Sequence, residues 1–291
     1  HLSIRRQRQM CIRDSPYGGL AAEASLVAMQ EFVPSAFAKL EVKGCDKNVY
    51  VATVLPGASA ALIRDAEFGG DAFVGLQVQS HTHNPGRDLA FALNWVKNNE
   101  PGATLESTAA DGSEPKLEEL IDASATLDVQ VHQDFEWWIP EGAQVTPQIA
   151  QSLRAANDSV IESHEVGENI TGAAFWANAG GGKAHIRWVR PSDDESAFLN
   201  ALARVAARGE LNLGEDTKFA GVFRTHGLIA PVFDLDPEVD HASYEDHLTR
   251  VDKALEEEIS NDAQLSADER KQLENICLLY TSPSPRDGLL S

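Results

Sequence analysis

Long apolar runs are missing from this chain of 291 residues. No stretch approaches the ~18 apolar residues of a membrane-spanning helix, and no basic-then-apolar segment reads as a signal peptide. The expectation is a soluble, cytoplasmic protein. Basic charge is also in short supply: 24 Lys and Arg stand against 45 Asp and Glu, a net charge of −21. Such a field repels phosphate backbones and anionic lipid, which argues against nucleic acid or a membrane surface as a general partner. Catalytic signatures are missing too. The run Gly57-Ala58-Ser59-Ala60-Ala61 lacks the second glycine of a nucleophile elbow, and no Gly-x-Gly-x-x-Gly follows a strand. The nearest approach to a phosphate loop is Gly180-Gly181-Gly182-Lys183, with Ala177 in place of the first glycine and Ala184 in place of the hydroxyl residue. No cofactor is expected, and ATP-driven work is excluded.

Cysteine is scarce: three residues, at 11, 45 and 277. Two of them fall in segments that do not read as gene. Arg5 to Asp14 is RRQRQMCIRD and Cys277 to Asp287 is CLLYTSPSPRD. One legal coding of Met10 to Asp14, ATG TGT ATA AGA GAC, is the reverse complement of a stretch within TGT CTC TTA TAC ACA TCT, which encodes Cys277 to Ser282. Inverted ends of this kind resemble translated sequencing adapter. Residues 1–15 and 277–291 are therefore expected to be adapter-derived and are set aside from fold reasoning. What remains is more acidic still, because five arginines leave with the ends. Cys45 is then alone, unable to form an internal disulfide or a cysteine-rich zinc site, which suits a reducing compartment.

Helix signals punctuate the remainder. Asn84-Pro85 opens a helix with Leu89, Leu93 and Val96 on one face, closed by Pro101-Gly102. Thr146-Pro147 opens another, Ser192 with Glu195 reads as a capping box, and Gly209 closes the helix that follows. Ser243 opens a further helix, and Ser266 with Glu269 caps a last one. Strands are expected near 49–55, 58–64, 72–79, 127–132 and 135–139, and again near 160–166, 170–178, 183–190, 218–225 and 228–234. The stretch 100–125 reads as a surface insertion. The expected fold is α+β: two similar antiparallel-sheet halves covered by helices, each ordered helix, three strands, helix, two strands, helix. The halves would be residues 16–142 and 143–276.

The runs YVATVLPGASAAL (Tyr50 to Leu62), GRDLAFAL (Gly86 to Leu93), GKAHIRWVRP (Gly182 to Pro191) and FAGVFRTHGLIAPVFDL (Phe219 to Leu235) carry a resemblance. They are similar to an uncharacterised actinobacterial family of unknown function, some members of which are labelled preprotein translocase SecA. The resemblance covers most of the chain between the two ends and implies no activity. A motor of the SecA kind would need the phosphate loop and a cysteine-rich zinc tail, and neither is here. The element order is also similar to that of bacterial secretion chaperone-like domains, which bind polypeptide; this is analogy at the level of fold.

Three groups of residues are candidate sites. Gly181 and Gly182 with Lys183, His185 and Arg187 offer an anion site: a glycine-rich backbone beside three basic side chains that period-two spacing puts on one sheet face. Arg224 and His226 could join them. The plainer reading is a hairpin turn followed by a solvated face paired with carboxylates. His81 and His83, at i and i+2, offer the start of a metal site, which would need further ligands such as Asp88, Asp240, His241, Asp246 or His247. Trp137 and Trp138 offer a partner-binding patch, one facing the core if the segment is a strand. The leading expectation is a non-catalytic protein-interaction or chaperone-like module that binds another polypeptide. The alternatives are a metal-dependent hydrolase using His81 and His83, or a regulator that binds a small anion.

Overall fold

The computed structural model describes residues 15–278 and 280–281. Apart from Ser15, Cys277, Leu278, Tyr280 and Thr281, the two terminal segments read as adapter-derived lie outside the described residues. The class is mixed α+β, with two largely antiparallel sheets and helices. The chain divides into two compact units, Pro16–Ser163 and a second that takes up the chain from His164.

In the first unit α1 (Glu23–Glu31) precedes β1 (Ala36–Leu40), β2 (Val49–Ala52), β3 (Ala61–Ile63) and β4 (Ala72–Gly75). Then come α2 (Pro85–Asn98), β5 (Thr104–Leu105), α3 (Leu117–Leu120), β6 (Gln130–Val131) and α4 (Pro147–Asp158). The sheet order is β5-β3-β4-β2-β1-β6, with β2 and β4 parallel. Helix α2 starts where the sequence says it should. The Asn84 side chain accepts from the Arg87 amide and Pro85 occupies the first turn. Its face of Leu89, Leu93 and Val96 is buried, and it lies on β3 and β4. Small and β-branched residues of the sheet, among them Ala36, Ala38, Val49, Val51, Ala61, Ala72 and Val74, are buried on the matching face. Their small volume lets helices approach the sheet closely. The opposite face carries Phe37, Tyr50, Leu62 and Phe73.

In the second unit β7 (Glu162–Val166), β8 (Ala173–Asn178) and β9 (Ala184–Val189) precede α5 (Glu195–Ala207), β10 (Lys218–Thr225) and β11 (Leu228–Leu235). Helices α6 (Glu245–Ile259) and α7 (Ala267–Leu278) and the two-residue β12 (Tyr280–Thr281) follow. The order is β12-β10-β11-β9-β8-β7. Trp188, Ile186, Phe198, Leu202, Phe233, Leu248, Val251 and Leu255 form the core between sheet and helices. Fourfold and threefold spacing along α5 and α6 puts these apolar residues on single faces, and α5 packs on both α6 and α7.

Every strand read in the second half is present. The first half departs in four places. Strand β1 is not among those expected, nor is β5, which pairs with β3 from within the stretch 100–125 expected to be a surface insertion, where Leu117, Leu120 and Ile121 are buried. Of 127–132 only Gln130 and Val131 pair, and 135–139 is not a strand but a 3-10 turn, Glu136–Trp138. Side-chain oxygens bend that segment: Asp134 Oδ1 accepts from the Glu136 amide at 3.1 Å, and Asn157 Oδ1 from the Phe135 amide at 2.7 Å. The cap of α5 is Asp194, which accepts from the Ala197 amide, while Ser192 hydroxyl contacts Asp194. The strand orders of the two sheets also differ. In the first, four strands precede α2 and β4 joins β2 in parallel; in the second, α5 precedes the β10–β11 hairpin, which joins β9 antiparallel.

Candidate functional site

Register determines what the open face of the first sheet presents. Leu62 pairs with Phe73, Phe73 with Tyr50, and Tyr50 with Lys39 on the strand that carries Phe37. Residues on the same side of each pleat therefore line up across β3, β4, β2 and β1. The rings interlock: Phe37 to Tyr50 at 5.7 Å edge-on, Tyr50 to Phe73 at 5.1 Å stacked, His132 to Phe37 at 4.9 Å stacked. Trp137 lies against Phe37 at 5.3 Å and Phe73 at 6.1 Å. Arg64 sets its guanidinium 4.6 Å from the Phe73 ring centroid and donates from Nη2 to the Trp137 carbonyl at 2.5 Å. Burial lowers the Arg64 pKa, opposed by the charge of Asp71, and the group remains a cation.

Trp137 and Trp138 are both half-buried. The 3-10 turn, rather than strand alternation, sets their directions. Trp137 Nε1 donates to Ser35 Oγ at 2.9 Å and Trp138 Nε1 to the Val54 carbonyl at 3.0 Å, so each indole is fixed by its polar tip. The structure brings Trp137 together with Phe37, Tyr50, Leu62 and Arg64, none of which was singled out from sequence. The available signal was an aromatic or cationic residue at the outward position of successive strands, legible only once the register is known.

His81 and His83 are exposed, in the loop before α2. His81 Nδ1 lies 2.7 Å from the Thr82 carbonyl. Thr82 donates from its amide and hydroxyl to the Asp88 carboxylate, and Asn84 is used as the helix cap. Asp88 thus holds the loop rather than joining a ligand set. Among the described residues no group of three or more His, Cys, Asp or Glu side chains is placed to hold a metal. His81 does line a small cleft with Tyr17, Gln30, Asp88 and Thr108, which sequence did not suggest. Burial, then the charges of Asp88 and Glu31, pushes the Tyr17 phenol far above its ordinary value, so it stays neutral.

In the second unit Gly180, Gly181 and Gly182 form the β8–β9 turn with φ of 86°, 79° and 84°. Left-handed backbone at three successive positions is glycine's territory. Lys183 and His185 share one carboxylate across the β9–β11 pair: Asp234 lies 2.8 Å from His185 Nδ1 and 3.5 Å from Lys183 Nζ. Arg187 is on the same face, and burial lowers its pKa. Arg224 is not with them. The register puts it on the other face of the sheet, where it pairs with Glu195. His226 sits at the β10–β11 turn with φ 48°.

No helix among the described residues is long and apolar enough to cross a membrane. A family model described as a family of unknown function (DUF5926) matches residues 16–277. No curated protein and no solved structure matches the chain.

Proposed function

Because the chain belongs to the family of unknown function DUF5926, which supplies no activity to inherit, we propose from its geometry a non-catalytic, chaperone-like module that holds a polypeptide segment on the open face of the first sheet. The observation that carries this reading is the contiguous set Phe37, Tyr50, Leu62 and Trp137. Each is half-buried, and all pack around Phe73, over whose ring Arg64 sits. Preorganised aromatic rings with fixed polar tips offer contact area at little entropic cost, which is what recognition of apolar side chains needs. Exposed Asp65, Glu67 and Glu136 adjoin Arg64 and Trp137 in sequence, and the whole chain carries −21. That field favours a partner with Lys or Arg beside its apolar anchors. The reading places the protein in the cytoplasm with a polypeptide ligand, and assigns no role to nucleic acid or lipid.

An array of short peptides probed with the purified chain tests it. Peptides that combine Leu, Phe or Trp with Lys or Arg should bind, more weakly as salt rises. Phe37→Ser and Tyr50→Ser, with unchanged circular dichroism, should each reduce binding at least tenfold. Binding that survives both substitutions, or no binding to any peptide, would overturn the proposal.

A further inference from the structure

The cleft beside α2 has room for about one water molecule and is lined by Tyr17, Gln30, His81, Asp88, Thr108 and apolar side chains that include Leu76 and Leu89. Its hydroxyl groups all donate to partners within the protein. The Tyr17 hydroxyl donates to Gln30 Oε1 at 2.6 Å. The Thr82 and Thr108 hydroxyls donate to Asp88 Oδ1 at 2.8 and 3.0 Å. His81 Nδ1 lies 2.7 Å from the Thr82 carbonyl, and the tautomer that donates there leaves Nε2 as an acceptor. These hydroxyl protons are engaged, and the acceptors the lining presents are the Asp88 carboxylate and the His81 ring nitrogen.

Asp88 sharpens the point. It is 8 % exposed, and its Oδ2 receives only the Thr82 amide at 3.2 Å, a proton shared with Oδ1 at 3.4 Å. No Lys, Arg or His among the described residues forms an ion pair with it; its neighbour Arg87 is turned to Glu114, 2.6 Å away. The first turn of α2 offsets part of the charge, but a carboxylate withdrawn from water still wants a counter-ion. We propose that this cleft binds a primary ammonium group, that of ammonium itself or of a small alkylamine, with Asp88 as counter-charge. The guest is a donor-rich cation the size of a water molecule. A neutral imidazole nitrogen accepts an N–H readily and is a poor ligand for sodium or potassium, so the His81 wall selects ammonium over alkali ions. An alkyl chain on the guest would run out of the cleft toward solvent, since the space takes the ammonium head group alone. This site is independent of the aromatic face and of the function proposed for it.

The experiment titrates the full chain with ammonium, methylammonium and n-butylammonium chlorides at constant ionic strength. Thermal midpoint and the amide shifts of Thr82 and Asp88 are followed. Saturable changes are expected with all three, and none with tetramethylammonium, which has no N–H to donate. Asp88→Asn should abolish the response. His81→Leu, at an exposed position, should weaken it about tenfold, the worth of one hydrogen bond, and decides the matter if Asp88→Asn does not fold. An equal response to sodium or potassium, a response to tetramethylammonium, an unchanged response in His81→Leu, or no response at all would each overturn the proposal.

Discussion

Arg190 grips Asp252 with two nitrogens of one guanidinium, Nε at 3.2 Å and Nη2 at 3.1 Å, both on Oδ1. Arg190 is 1 % exposed, and its Nη2 also reaches Glu256 at 2.5 Å. The other Asp252 oxygen accepts from the Thr171 amide at 3.0 Å, and the Thr171 carbonyl accepts from Trp188 Nε1 at 2.8 Å. One carboxylate therefore ties the end of β9, the β7–β8 loop and α6 together. Asp252→Ala leaves a buried guanidinium with Glu256 alone, and should cost about 3 kcal/mol in urea unfolding. The double replacement Arg190→Met with Asp252→Leu should cost less than Asp252→Ala by itself, since it strands no charge.

Ser35 plays a comparable part beneath the aromatic face. Fully buried, it donates to the Asp134 carbonyl at 2.7 Å and accepts from Trp137 Nε1 at 2.9 Å. Ser35→Ala strands both groups, at about 1–3 kcal/mol. It should also shift the Trp137 fluorescence, because the indole loses the contact that fixes its tilt. A stability loss with unchanged emission would mean the ring is held by packing alone.

The second unit was more legible in the sequence than the first, and the reason is physical. Strands β7 to β11 are five to eight residues long, and Ala184 to Val189 alternates, with Ala184, Ile186 and Trp188 buried. Ser266 does cap its helix, bonding reciprocally with Glu269. The first unit hides its strands. Ala36 to Leu40 is short and mostly small or apolar, and the two edge strands of its sheet, β5 and β6, are two-residue pieces. Phe135 to Ile139 has strand-like composition, yet Asp134 and Asn157 bend it into a turn, an outcome that depends on a helix more than twenty residues away. Period-two reading placed Lys183, His185 and Arg187 on one face. It had no means of assigning Asp234 as their partner, because pairing across β9 and β11 is a matter of register.

Acid sensitivity should be traceable to Glu258. Hydrogen bonds from Asn261 Nδ2 at 2.9 Å and then from Arg208 Nη1 at 2.6 Å hold its carboxyl below the ordinary carboxylate value. A group depressed in the folded state stabilises above its unfolded value and loses that contribution as pH falls through the folded one. Glu258→Gln should therefore flatten the fall in stability below about pH 4.5 and lower stability near neutrality. The change should stay under about 1 kcal/mol, because Arg208 is partly exposed. Matched denaturation curves from pH 3 to 7 check it, and parallel curves would assign the acid limb elsewhere.

Asp234 decides whether the basic stripe of the second sheet can take an anion. Its two oxygens face His185 Nδ1 at 2.8 Å and Lys183 Nζ at 3.5 Å, and Lys218 is its register partner on β10. The carboxylate occupies the place an incoming phosphate would need and cancels part of the field that would attract it. Asp234→Asn keeps the shape and removes the charge. At neutral pH and fixed ionic strength, phosphate should raise the thermal midpoint of the variant and leave the parent chain unmoved. An equal rise in both would show that the stripe binds anions with Asp234 in place, and that the pairing seen across β9 and β11 yields to a competing ligand.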